Sequence, residues 1–374
     1  MNHDVLRAIC VSLVALTAVA VGGCGGGPTR FELNTEGREP GSIGRAQREA
    51  IRDTMTELFG TPDEPRVPPG VGLDVALLRR AAGPVYSDES GVGFGLYRKH
   101  CATCHAINGG GTGPSAAVLG PYPRDFRPGI FKFTSTAAGA KPTVDDLLRN
   151  LQRGNPGTAM PSFAKLDERE QAALVEYVRY LALRGETEIY VIALVVDEEE
   201  YLPLDIDWVV EDSVEPFWAM WEEASAFAVD PPPPPELPSL EAWNASVERG
   251  RELYLSEHGR CTDCHGPDGY GDGPQNPLYD DWNRPKVGVN PTETRALARL
   301  FTLPPQVLPA RNFHDERFRG GDHPIDVYWR VCVGIKGTPM PASGPSPGVP
   351  GPLKPEEIWD VVNFVRQMAG KRGG

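Results

Sequence analysis

Two five-residue blocks constrain this chain more than any other feature. Cys101-Ala-Thr-Cys104-His105 starts at position 101 and Cys261-Thr-Asp-Cys264-His265 at position 261. With seven Cys and seven His in 374 residues, chance supplies on the order of 0.002 copies of Cys-x-x-Cys-His. Two copies are therefore a repeat, and the flanking sequence repeats with them. Gly111-Thr-Gly-Pro114, Pro123-Arg-Asp-Phe126 and Gly157-Thr-Ala-Met160-Pro161 follow the first block. Gly271-Asp-Gly-Pro274, Pro309-Ala-Arg-Asn-Phe313 and Gly337-Thr-Pro-Met340-Pro341 follow the second.

Each unit closes on apolar residues at helical spacing: Leu174, Val175, Val178 and Leu181 in the first, Ile358, Val361, Val362 and Val365 in the second. Asp167 with Glu170 has the form of a capping box, and Pro355 suits a first helical turn. Middle helices are predicted over Val144–Arg153 and Ile325–Val333, with Asp146 matching Asp326 and Gly154 matching Gly334. A further helix is expected before each Cys pair. The fold class is all-α, two tandem units joined by an acidic, proline-rich linker. The expected divisions are 1–24, an export signal; 25–87, an N-terminal arm; 88–185, the first unit; 186–239, the linker; and 240–372, the second unit.

Arg7 precedes a mostly apolar run from Ala8 to Gly23, too short for the ~20 residues that span a bilayer. The run ends in Val21-Gly22-Gly23-Cys24, which resembles a bacterial lipobox, so Cys24 is expected to carry a lipid anchor on the periplasmic side of a membrane. Ile189–Val196 is apolar but also too short to cross. The arm has one clear helix candidate, Ala46–Phe59. The net charge of −14 disfavours nucleic acid as a partner. Residues 186–230 hold 14 Asp or Glu and no Lys or Arg, so this insert carries the whole excess. Phe217, Trp218, Trp221 and Phe227 punctuate it and suit a docking amphipathic helix. The prolines at 231–235 follow as an extended spacer.

Four chemistries begin with a close cysteine pair: a disulfide, a zinc site, a thiol redox centre and covalent haem. Zinc wants four ligands, and one pair per unit leaves the set incomplete. A thiol redox motif wants a βαβ context and no following His. Covalent haem c accounts for all three residues. Cys101 and Cys104, or Cys261 and Cys264, would add to the porphyrin vinyl groups, which places His105 or His265 under the iron. Two haem c groups are therefore expected. Met160 and Met340 are the expected sixth ligands, soft thioethers that favour Fe(II); His314 and His323 are alternatives at the second site. A proximal His gives its other N–H to a carbonyl, and Pro114 and Pro274 are the expected acceptors. Arg124 and Arg311 are candidates to pair with haem propionates. His100 and His258 are expected at the surface, and Cys332 as a free structural thiol.

On these motifs both units resemble class I cytochrome c domains. The stretch from Pro123 to Thr136 looks like bacterial membrane-associated cytochromes that serve respiratory complexes. The resemblance implies a compact helical fold around each haem, His/Met iron and one-electron transfer without bond chemistry. Expected partners are a quinol-oxidising complex or dehydrogenase on one side and a terminal oxidase on the other. Two rival functions stay open: a dihaem peroxidase, and a fixed subunit of a larger redox complex.

Overall fold

A computed structural model of the chain describes residues 29–198, 203–280, 291–315 and 317–371. The signal segment and Cys24 lie outside these residues. The arm supplies α1 (Arg45–Phe59) and α2 (Val75–Ala81), then a short antiparallel hairpin, β1 (Tyr86–Ser87) with β2 (Gly93–Phe94). The first unit continues with α3 (Leu96–His100), α4 (Ala102–His105), α5 (Val144–Arg153) and α6 (Glu168–Ile192). The insert carries α7 (Ile206–Val209) and α8 (Glu215–Glu222). The second unit holds α9 (Leu240–Leu255), α10 (Thr262–His265), α11 (Pro291–Ala298), α12 (Pro324–Val333) and α13 (Pro355–Met368).

The repeated residues build repeated caps. Asp146 Oδ2 accepts from the Thr143 N–H at 3.1 Å, and Asp326 Oδ2 accepts from the His323 N–H at 3.3 Å. Each thereby stops the first turn of α5 or α12 from fraying. Gly154 and Gly334 end those helices at φ 65° and 73°, a region costly for other residues. Asp167 and Glu170 form a reciprocal box that starts α6.

The helix expected before the first Cys pair is only the five residues of α3. Gly95 stops it from growing backwards: it sits at φ 69°, and a Cβ there would lie 2.5 Å from the Pro84 carbonyl carbon. The arm makes up the loss. α2 packs along α6, as the longer α9 packs along α13 in the second unit. Asp74 starts α2 by accepting from the Ala76 and Leu77 N–H groups, and the Asp74 N–H itself donates to Glu176 of α6.

The insert is also part of the first unit rather than a free linker. α6 runs past the expected boundary to Ile192 and continues in a wider turn over Ala193–Asp197. Val191, Ile192, Val195, Val209, Val214, Trp218 and Trp221 join one core with Ile51, Met55 and Phe59 of α1. Between Asp205 and Glu223 the acids face outward while apolar residues at helical spacing face in. Phe227, expected to dock with the tryptophans, is exposed. Only the proline-rich stretch runs between the units, held where Trp359 Nε1 donates to Pro232 O at 2.9 Å.

The two units meet over several side chains. Arg153 Nη1 reaches both Asp326 oxygens at 3.0 Å. Arg149 lies over the Trp329 ring at 4.5 Å, and Lys336 donates to Thr136 and to Ala140 O. Gln306 of the second unit accepts from Tyr122 N and donates to Leu119 O. The arm adds a clasp, where the Gly37 N–H donates to Leu300 O at 2.8 Å.

Candidate functional site

α4 and α10 are single turns with Cys101 and Cys261 at their N-caps, and the two cysteines and histidine of each turn line a cavity. That turn is fixed from outside by the glycine-rich return. Gly111 N donates to His105 O and Gly113 N to Cys104 O; Gly271 and Gly273 make the same two bonds to His265 and Cys264. A Cβ on Gly113 would lie 2.5 Å from Thr103 O, and one on Gly273 2.5 Å from Asp263 O. Only glycine lets the chain pass this close.

This packing also explains a correction. Pro114 and Pro274 are exposed and do not accept from the histidines. His105 Nδ1 instead lies 2.9 Å from Arg124 O, and His265 Nδ1 lies 3.0 Å from Arg311 O. The glycines press the backbone before each proline against the Cys-x-x-Cys turn, away from the imidazole edge. The later Pro-Arg-Asp-Phe and Pro-Ala-Arg-Asn-Phe segments reach that edge. A carbonyl can only accept, so each contact fixes the Nδ1–H tautomer and leaves Nε2 as the nitrogen with a lone pair. Burial lowers the pKa of both histidines and keeps them neutral.

Aromatic residues complete the support. Phe126 stacks on His105 and Phe313 on His265, each with ring centroids 4.4 Å apart. Tyr97 Oη donates to Ala106 O at 2.9 Å, and Tyr254 Oη to Gly266 O at 2.6 Å. Sequence reasoning assigned none of these four a role. The two phenylalanines were signalled by their place in the repeat; the tyrosines stand at different offsets from their Cys pairs and gave no such signal.

Met160 and Met340 line the same cavity and sit in two turns built alike. Thr158 Oγ1 donates to Asn155 O at 2.8 Å, and Thr338 Oγ1 to Ile335 O at 2.6 Å. The same hydroxyls accept from the Met160 and Met340 N–H groups at 3.2 and 3.3 Å. The threonine in the repeated Gly-Thr-x-Met-Pro is thus the brace of the turn. Asn155 Nδ2 lies 3.5 Å from Met160 Sδ.

Cys101, Cys104, His105 and Met160 line the same cavity, of about 630 Å³, as Cys261, Cys264, His265 and Met340. None of the four cysteines is paired in a disulfide. Burial pushes Cys101 up to about 12 and Cys261 up to about 11, the opposite of the depressed thiol of a redox centre. Among the described residues no three His, Cys, Asp or Glu side chains converge as a metal cage. Two thiols, an imidazole and a thioether in each unit are the donor set that would hold a haem c.

The other candidates divide between the cavity lining and the rest of the chain. Arg124 lines the cavity, with Nε donating to Ile130 O, and Arg311 lines it with Nη1 3.1 Å from Asp315. His314 is exposed, stacked on Tyr270, with Nε2 2.8 Å from Asp268 O. His323 caps α12. His258 is exposed, whereas His100 lines the cavity edge-on to Phe163 rather than lying free at the surface. Cys332 is buried, with Sγ 3.6 Å from Pro345 O.

The family model for cytochrome c matches residues 92–182 and 247–369. No curated protein matches the chain. A solved chain from Kuenenia stuttgartiensis, described as part of a reducing HAO-like protein complex, is 26% identical, with a TM-score of 0.50. That likeness covers 76% of this chain and 97% of that one.

Proposed function

The chain belongs to the cytochrome c family, and from that premise we propose that it is a dihaem electron-transfer protein. One haem c would be held by Cys101, Cys104, His105 and Met160, the other by Cys261, Cys264, His265 and Met340. The observation that carries this reading is that both donor sets line one cavity. When bound, each haem supplies a one-electron Fe(III)/Fe(II) couple. The protein's own part is positional. Arg124 O and Arg311 O orient neutral imidazoles, and the threonine-braced turns would supply the thioethers. Two ligands held by the chain would suit a site that changes oxidation state without gaining or losing a ligand, which keeps reorganisation small.

The same ligand set disfavours the peroxidase reading, since such an enzyme needs an iron open to peroxide. The Kuenenia neighbour belongs to a named protein complex, and that observation favours a second reading in which this chain is a fixed redox subunit. The acidic insert and arm would then be contact surfaces. In either role the chain would be exported and lipid-anchored at Cys24, taking electrons from a quinol-oxidising complex or dehydrogenase. A terminal oxidase would receive them in the carrier role. Among the described residues no helix is long and apolar enough to cross a membrane.

The test is a haem count on purified chain by intact mass and alkaline pyridine spectra. Two haems are expected, and one after joint Cys261→Ser and Cys264→Ser replacement. A wild-type chain with one haem or none refutes the dihaem reading. Stable co-purification from detergent with other subunits selects the fixed-subunit role; a lone chain selects the carrier.

A further inference from the structure

Lys132 and Arg319 occupy equivalent places in the two units. Each follows directly on a phenylalanine, Phe131 or Phe318, that packs against the residue stacked on the proximal histidine. Both side chains line the shared cavity, and both reach into the opposite unit. Lys132 Nζ donates to Asp280 Oδ2 of the second unit at 2.9 Å. Arg319 Cγ lies 3.7 Å from where a Cβ on Gly157 would stand, in the turn that carries Met160. Phe133, next to Lys132, crosses the same way: it lies against Gly320, where a Cβ would collide with its ring. The exchange is reciprocal, and it places a cation from each unit beside the other unit's cleft.

These cations are short of anions. Arg124 and Arg319 act on Lys132, and Arg311 acts on Arg319, each as a like charge. The described carboxylates acting on Lys132 and Arg319 are Asp280 and Asp315. Lys132 already holds Asp280, and Arg311 already holds Asp315. The Nε atoms of Arg311 and Arg319 are buried without a hydrogen-bond partner. Leaving such a donor unmet costs roughly 1–3 kcal/mol, more when it is charged. Arg330 braces the arrangement by donating to Arg319 O and Gly321 O. A cluster of half-buried cations, opening on a cavity that two haems would fill, matches the carboxylates that haem carries at its edge.

We propose that Lys132 and Arg319 are positioning residues acting in trans, each serving the carboxylates of the haem bound by the opposite unit. The inference rests on the dihaem reading. Removing a cation beside a haem favours the ferric state, whose charge is one unit more positive. Arg319→Gln should therefore lower the electron affinity of the first unit's haem, and Lys132→Gln that of the second. At an effective dielectric of about 20, one charge about 12 Å from a redox centre would change its Fe(II)/Fe(III) equilibrium by roughly tenfold.

The experiment is potentiometric titration of the full haem-loaded chain. A Met340→His background separates the second haem's wave from the first. In that background Arg319→Gln is expected to shift the first unit's wave by roughly tenfold in electron affinity, and Arg319→Lys to restore it. Lys132→Gln is expected to shift the second unit's wave, and Lys132→Arg to restore it. Shifts confined to the haem of the mutated unit, or no shift in a chain that carries both haems, overturn the proposal. If a glutamine variant loses haem, the charge-conserving variant decides: its waves must match those of the parent. A parent chain with fewer than two haems refutes the dihaem reading instead, so the two failures are distinct.

Discussion

Replacing Gly250 by Ala sets two physical effects against each other. Gly250 lies inside α9, and helix propensity alone favours Ala there by about 1 kcal/mol. The packing says otherwise. A Cβ at Gly250 would lie 2.5 Å from the carbonyl carbon of Asp360 and 3.0 Å from Phe364 Cβ, both on α13. Those obstacles are helix backbone and a first side-chain carbon, so neither can rotate away. The helices must part by roughly 1 Å to regain ordinary contact, and overpacking of this kind costs about 1–3 kcal/mol. Parting also loosens Trp243 and Tyr254 on α9 and Val361 and Val365 on α13, all buried. We expect a net loss of about 2 kcal/mol, since the gap is closed by backbone. For a unit of this size that lowers Tm by about 8 °C. Tyr254 stands one turn beyond Gly250 and braces the turn after His265, so the second haem's absorbance should melt early while the first is unchanged. The assay is thermal unfolding of the haem-loaded chain, followed by circular dichroism and haem absorbance. An unchanged or raised Tm would refute the reasoning.

Two further perturbations probe the first unit. Trp221 is buried, edge-on to Phe131 at 6.0 Å and under Lys141 at 5.8 Å. Trp221→Ala should therefore destabilise the first unit by about 3–5 kcal/mol, seen as an earlier denaturant midpoint for its haem alone; equal midpoints would make the insert a mere linker. Glu186 is buried beside Lys141 and Trp221, and burial outweighs the lysine, raising its pKa to about 6 from 4.5. The folded chain then holds this proton more tightly than the unfolded chain. The associated stability of about 2 kcal/mol is full below about pH 4.5 and is lost as pH rises through about 6. Glu186→Gln should flatten that part of the stability profile in denaturant titrations, and a persisting slope would exclude Glu186 as its source.

Much of the site was legible because its parts are local. Thr143 with Asp146, Asp167 with Glu170, and the Gly-Thr-x-Met-Pro turns each close within a few residues, so the sequence shows both partners of each bond. The histidine acceptors were not legible, because the connection to them differs between units. Arg124 stands 19 residues from His105, and Arg311 stands 46 from His265. A search at fixed spacing finds the prolines instead. The insert was half legible: its tryptophans marked a docking helix, but not the core it joins. Its charge count describes its outer face, whereas Val209, Val214, Trp218 and Trp221 on the inner face decide where it packs. The role of α2 was hidden because the need for it arises from Gly95, which cuts α3 short and leaves α6 without its partner.

The central claim is that each unit closes its iron with a methionine as well as a histidine. Optical and electron paramagnetic resonance spectra of the oxidised full chain test it most directly, with Met160→Ala and Met340→Ala beside the parent. The account predicts two low-spin centres in the parent, inert to peroxide, with one lost in each variant as that iron turns high-spin. High-spin, peroxide-reactive iron in the parent, or low-spin spectra unchanged in both variants, would contradict it.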